Sequence, residues 1–353
     1  MNRIWAGALA AVLMGLGCAV PATAAGDGGS TGGGAASPAG YIQADDGGLV
    51  TDATRPYTYE RMARELRELE ERYPRLVGVN VIGHTVSGVD IPMVTLGTGS
   101  KKVLVLGTEH AREYVTTGFI MRTLDTYAYA YARGAKIEGE DVKAVLERVT
   151  FYMVPMLNID GVALVTGRAS PTQVRVAKRA VGAGTYADTV DTWKADIRGV
   201  DLNRNYPVNW ARSRSVPGPD SEGYKGPTAA SEPEVKAVVA LGRAHDFAFL
   251  LALHTRGNVI YWCDSYSGRV PGALALARKV RAVNGFDLVQ RDISAGQASR
   301  GGAGSANWFR HEFDRPALTI EFTPPSEPYA KAPAHFNRLI WKANRALLLK
   351  IAP

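Results

Sequence analysis

Four short apolar runs constrain this chain more than any other feature: residues 102–107 (KVLVLG), 150–157 (TFYMVPML), 247–254 (FAFLLALH) and 318–322 (LTIEF). Runs of this length, rich in Val, Leu, Ile and Phe, read as buried strands. The stretches between them carry helical patterns. In residues 58–73, Met62, Leu66, Leu69 and Tyr73 recur at helical spacing, Thr58 can cap, and Pro74 follows. Residues 116–132 read as a second helix. Ser231-Glu232-Pro233-Glu234 reads as a capping box with proline in the first turn, opening a helix to about Arg243. Strands that alternate with helices imply an α/β layer fold around a largely buried sheet.

The two ends of the 353-residue chain differ in character. Arg3, an apolar run over 4–20 and the small residues Pro21-Ala22-Thr23-Ala24 form the pattern of a secretory signal peptide over 1–24. The run is short for an anchor of about 20 residues. Cys18 as a lipoprotein site is disfavoured by Gly15, where a branched apolar residue is usual. The expected location is therefore secreted or periplasmic, with no integral membrane span in the mature chain. Residues 25–54, with Gly32-Gly33-Gly34-Ala35-Ala36-Ser37-Pro38, read as a flexible lead-in, and 55–353 as one catalytic domain. Removing Cys18 leaves Cys263 alone, so the fold is expected to hold without a disulfide and Cys263 to act as a small buried hydrophobe. The net charge of +7 comes from scattered residues with no finger, helix-turn-helix or aromatic-basic stripe, which argues against a nucleic-acid partner. A monomer is expected.

Sites in open α/β sheets collect beyond strand ends, and the chemistry-bearing residues of this sequence fall there. His110 and Glu113, in Gly107-Thr108-Glu109-His110-Ala111-Arg112-Glu113, are three residues apart and can face one ion if the chain turns into a helix. A catalytic zinc needs three protein ligands and an open position. His254, ending the third run, fits as the third. Taken alone, each has a plain structural reading, a capped polar residue or a chance spacing. Glu321 lies inside an apolar strand, where a carboxylate is costly unless it is paired or functional. Asn203 and Arg204, in the segment 199–207 (GVDLNRNYP), bring an amide and a guanidinium that can grip a carboxylate.

The segments HARE (110–113), LNIDG (157–161), GVDLNRNYP (199–207), GPTAASEPE (226–234), LALHT (251–255) and TIEF (319–322) occur in the order found in zinc carboxypeptidases. From about Tyr57 onward the chain resembles the carboxypeptidase A/T family. The resemblance implies a mixed, twisted sheet of about eight strands flanked by helices, and one Zn2+ per chain held by His110, Glu113 and His254. It implies Glu321 as catalytic glutamate and Asn203 with Arg204 as binders of the substrate's free carboxylate. An arginine before the Asn-Arg pair polarises the scissile carbonyl in the family; here Lys194 occupies the matching place and Arg198 is its rival.

Within the family, HAREYVTTG (110–118), WKADIRGVDLNRNYP (193–207), YKGPTAASEPE (224–234) and HTRGNVIYW (254–262) resemble bacterial γ-D-glutamyl-diamino-acid peptidases. That implies a peptide or muropeptide substrate cut between D-glutamate and the diamino acid. Residues 294–304 lack the tyrosine that digestive members carry before their Gly-Ser-x-x-Trp segment, here Gly304 to Trp308. Arg256 stands where those members have an aromatic residue, and can bind a second substrate carboxylate. Ala306 matches the position that tunes the side-chain pocket and is not acidic, so a simple pocket for Lys or Arg is not indicated. The alternatives are a broad-specificity carboxypeptidase and an inactive wall-binding module. A serine hydrolase is disfavoured by the lack of a Gly-x-Ser-x-Gly elbow.

Overall fold

A computed structural model describes residues 51–264, 270–291 and 302–353. Its strands are β1 (Val77–His84), β2 (Asp90–Leu96), β3 (Lys101–Gly107), β4 (Lys136–Ile137), β5 (Glu140–Asp141), β6 (Val149–Val154), β7 (Phe247–Thr255), β8 (Val259–Asp264), β9 (Asp287–Arg291) and β10 (Ala317–Phe322). β4 and β5 form a separate hairpin, and the other eight form one sheet in the order β1-β2-β6-β3-β7-β10-β8-β9. The strands β6, β3, β7 and β10 run parallel, and β8 is antiparallel to β10. The α/β class and the eight-stranded mixed sheet match the expectation.

The four apolar runs became these four parallel strands for a physical reason. Val103 to Leu106 and Leu250 to Leu253 are fully buried at every position, so both faces of the central strands are covered. Such strands need continuous apolar sequence, without polar alternation. β6 stops at Val154, earlier than the run predicts, because Pro155 has no N–H for the ladder. The helix Tyr59–Arg72 is capped by Thr58, whose hydroxyl accepts from Arg61 N, and it buries Met62, Leu66 and Leu69. Each such side chain contributes about 1.5–3 kcal/mol relative to exposure.

Two expectations need correction. The capping box at Ser231 does not form. The helix Pro233–Ala244 starts one residue later than expected, with Glu232 at its cap. The Ser231 hydroxyl instead donates to Glu232 and accepts from Asn205 Nδ2, while Glu234 accepts from Val86 N. The side chains that would close a box tie this helix to two distant loops. The domain also begins before residue 55. Thr51 N and Oγ1 both donate to Asp125, Arg122 donates to Thr51 O, and Ala53 is buried in the core. The expected signal peptide over 1–24 and residues 25–50 of the expected lead-in lie outside the described residues. Among the described residues no helix is long and apolar enough to cross a membrane.

Candidate active site

The site gathers at the carboxyl ends of the parallel strands. His110 follows β3 by three residues, His254 is the penultimate residue of β7, and Glu321 the penultimate residue of β10. The parallel pairing of β7 and β10 sets Glu321 directly beside His254. After His110 the chain enters a single tight turn, Ala111–Glu113, which brings Glu113 back under the imidazole. LNIDG explains itself here: Asn158 Nδ2 donates to the carbonyls of Glu109, Lys194 and Ala195, stapling the His110 loop to the Lys194 segment. Gly161 passes so close that a Cβ would sit 2.6 Å from Ala195 O and 2.8 Å from Ala111 Cβ.

Three donor groups converge. His110 Nδ1 lies 2.9 Å from Glu113 Oε1, His254 Nδ1 lies 3.0 Å from Glu113 Oε2, and the two Nδ1 atoms are 3.1 Å apart. All three residues are buried. Zinc bonds nitrogen and carboxylate oxygen at about 2.0–2.2 Å, and donor atoms about 3 Å apart suit a shared ion at that reach. The outward nitrogens are engaged as well: His110 Nε2 is 3.2 Å from Asp201 Oδ1, and His254 Nε2 is 3.1 Å from Glu109 Oε2. A carboxylate behind each ligating imidazole fixes its tautomer and raises its basicity.

The charge balance points the same way. Glu109, Glu113, Asp201 and Glu321 face Lys194 and Arg204, with Asp201 paired to both cations at 3.1 Å. Four carboxylates against two fixed cations leave a deficit that one divalent ion closes when both imidazoles are neutral. Burial alone would raise the carboxyls of Glu113 and Asp201. The charge and hydrogen bonds of His110 and His254 hold Glu113 low, and Lys194, His110 and Arg204 hold Asp201 well below its usual range. Burial opposes the charge on His254, yet its bonds to Glu109 and Glu113 raise it well above the ordinary histidine value.

A second buried cluster, Asp196, Glu232 and Glu234, also brings possible ligand atoms together. It offers oxygen alone, and none of its members lines the cavity beside the histidines. Zinc favours nitrogen and sulfur donors, so the His-Glu-His group is the one that suits it.

The cavity next to the metal donors encloses about 120 Å³. Its lining includes His110, Lys194, Asp201, Asn203, Arg204 and Glu321 together with Tyr261, Cys263, Asp264, Ala306, Arg310 and Thr319. Asn203 Oδ1 accepts from Ser305 N, and its Nδ2 is 3.2 Å from His254 Nε2. Of the two rivals before the Asn-Arg pair, Lys194 lines the cavity. Arg198 is half exposed, bonded to Glu232, and outside the lining. Arg256 is also outside the lining. It donates to Glu327 O and stacks over Tyr329, whose ring Arg112 also contacts. Asn205 binds no part of the cavity; its amide holds Lys225 O, Thr228 O and Glu232 N. Cys263 is buried, as expected, but its place in the cavity wall was not.

Sequence reasoning missed Glu109, Asp201, Asp264 and Arg310. Glu109 and Asp201 flank recognised residues, and a search for a carboxylate partner behind each histidine could have found them. Asp264 and Arg310 carry no local signal.

The model of the zinc carboxypeptidase family matches residues 62–323. Gamma-D-glutamyl-L-diamino acid endopeptidase 1 of Lysinibacillus sphaericus is 32% identical over 283 residues, covering 79% of this chain and 68% of that protein. Mast cell carboxypeptidase A of Homo sapiens is 24% identical over 218 residues, covering 60% of this chain and 48% of that one. Among solved structures, bovine thrombin-activatable fibrinolysis inhibitor aligns with a TM-score of 0.66 at 19% identity, covering 85% of this chain and 97% of that one, a likeness of fold. The fold, the donor set and the sequence match agree: the chain belongs to the zinc carboxypeptidase family and is a zinc metallopeptidase of that type.

Proposed function

We propose that this protein is exported and hydrolyses the bond between γ-D-glutamate and the diamino acid of peptidoglycan stem peptides, next to a free carboxylate. The observation that carries the reading is one cavity lined by His110, Glu321 and the Asn203–Arg204 pair, with the donor atoms of Glu113 and His254 gathered against His110. The name of the Lysinibacillus relative supports the wall substrate.

His110, Glu113 and His254 would hold the zinc ion, which when bound would supply a Lewis acid for the attacking water and the scissile carbonyl. Glu321, beside His254 in the sheet, is the base that takes a proton from the attacking water and returns it to the leaving amine. Lys194, held by Asp201 at the cavity wall, stabilises the developing oxyanion; the placement of Arg198 favours Lys194 for this role. Asn203 and Arg204 fix the terminal carboxylate and align the bond before attack. A γ-linked glutamate leaves its α-carboxylate free, and Arg256, anchored on Tyr329 at the rim, supplies a guanidinium for it.

The test is incubation of the zinc-loaded protein with a defined muropeptide and with ordinary C-terminal dipeptides, products read by mass. Release of the diamino acid or its peptide from glutamate is expected. Cleavage of ordinary peptides alone would assign a broad carboxypeptidase. One bound zinc without hydrolysis of any peptide would assign a binding module.

A further inference from the structure

Val259, at the start of β8, pairs with Glu321, and at the other end of that strand the cavity wall carries a buried ion pair. Asp264 closes β8 and Arg310 lies in the helix Ser305–Phe313, with Arg310 Nη2 2.9 Å from Asp264 Oδ2. Both side chains are 3% exposed, and both line the cavity. Arg310 also donates to Ala317 O at 2.6 Å and to Asn307 Oδ1 at 3.0 Å. Its Nε is buried without a hydrogen-bond partner. Removing two charges from water costs more than a simple pair returns. An apolar floor would be the cheaper way to build a pocket for an apolar side chain, and a lone acid the simpler way to build one for lysine.

We propose that Asp264 and Arg310 determine specificity by reading the far end of the substrate side chain, selecting a residue whose side chain ends in both an ammonium and a carboxylate. This rests on the assignment of Asn203 and Arg204 to the substrate's terminal carboxylate, which sends the side chain of the same residue into this part of the cavity. The logic is charge complementarity. The floor is neutral as a whole but polar in detail. A side chain ending in ammonium alone meets Asp264 but also the Arg310 guanidinium. One ending in carboxylate alone meets the reverse. A side chain ending in an amino-acid group satisfies both members, and its two charges replace the water that each would otherwise keep. The small Ala306 leaves room beside Asn307 for such a branched end. Diaminopimelate has this chemistry; lysine does not.

The test uses four γ-D-glutamyl substrates that differ only in the C-terminal residue: diaminopimelate, lysine, 2-aminopimelate and norleucine. The wild-type zinc enzyme should show kcat/KM for diaminopimelate about 10–100-fold above the other three. Asp264→Asn should remove most of that advantage through KM, change norleucine turnover by less than about threefold, and leave zinc content unaltered. Equal kcat/KM for all four on the wild type would overturn the proposal, as would an Asp264→Asn variant that loses activity equally on all. The wild-type comparison needs no variant to fold. Running the same four residues as C-termini of N-acyl dipeptides separates the two readings. If no γ-glutamyl bond is cut, the wall assignment fails, and the dipeptide series still tests the pocket.

Discussion

Replacing one buried carboxyl should change how the stability of this protein depends on pH. Asp196, Glu232 and Glu234 bring carboxylate oxygens within 4.8 Å of one another, and all three are buried. Burial, then repulsion from Asp160 and Glu232, pushes the Glu234 carboxyl from 4.5 up to about 8, against the pull of the Val86 and Glu234 N–H groups. Burial and repulsion from Glu232 and Glu234 also push Asp196 well above its ordinary value, while Arg198 pairs with Glu232. The folded protein thus holds a proton that the unfolded chain releases at an ordinary carboxyl pKa. That stabilisation is complete below about pH 4.5, falls as pH rises, and is gone above about pH 8. From pH 5.5 to 8 the interval is two to three pH units at about 1.4 kcal/mol each, so roughly 3 kcal/mol should be lost. Urea unfolding of the zinc-saturated protein at several pH values measures this. Glu234→Gln keeps an acceptor for Val86 N and cannot ionise, so its stability should fall about 3 kcal/mol less over the same interval. Zinc linkage affects both proteins alike and cancels in the comparison. Equal pH slopes for variant and wild type would refute the reasoning.

Three further outcomes follow from the site. Glu321→Gln should keep zinc and lower kcat by about 10²–10⁴-fold; full turnover would remove Glu321 from the proton transfers. Asp201→Asn weakens the carboxylate behind His110 and the counter-charge of Lys194 and Arg204, so zinc affinity should fall about 10–100-fold in a chelator competition. An unchanged affinity would show that the second carboxylate does not support the ligand. Gly304→Ala would place a Cβ against Asn203 Oδ1 and displace the amide from Ser305 N. The expected result is a higher KM with zinc content intact, and an unaltered KM would show that Asn203 does not hold the substrate's carboxylate.

The sequence determined the strands and several ligating side chains, because both obey local rules. Four apolar runs became four parallel strands since a strand covered on both faces needs mainly continuous apolar sequence. His110 and Glu113 were legible together because one turn of chain suffices to bring them to a common point. The helix start near Ser231 is not legible in the sequence because its polar side chains are spent on Asn205 and Val86, partners 26 and 148 residues away. The same limit applied to the pocket. The sequence offered Ala306 as the position to inspect for charge, and it carries none. Tertiary structure alone brought Asp264 from the end of β8 against Arg310 from a later helix, because strand order, unlike strand identity, is set by which faces bury one another across the sheet. It likewise set Glu321 beside His254, since the pairing of β7 with β10 joins segments 67 residues apart and no local pattern records that register.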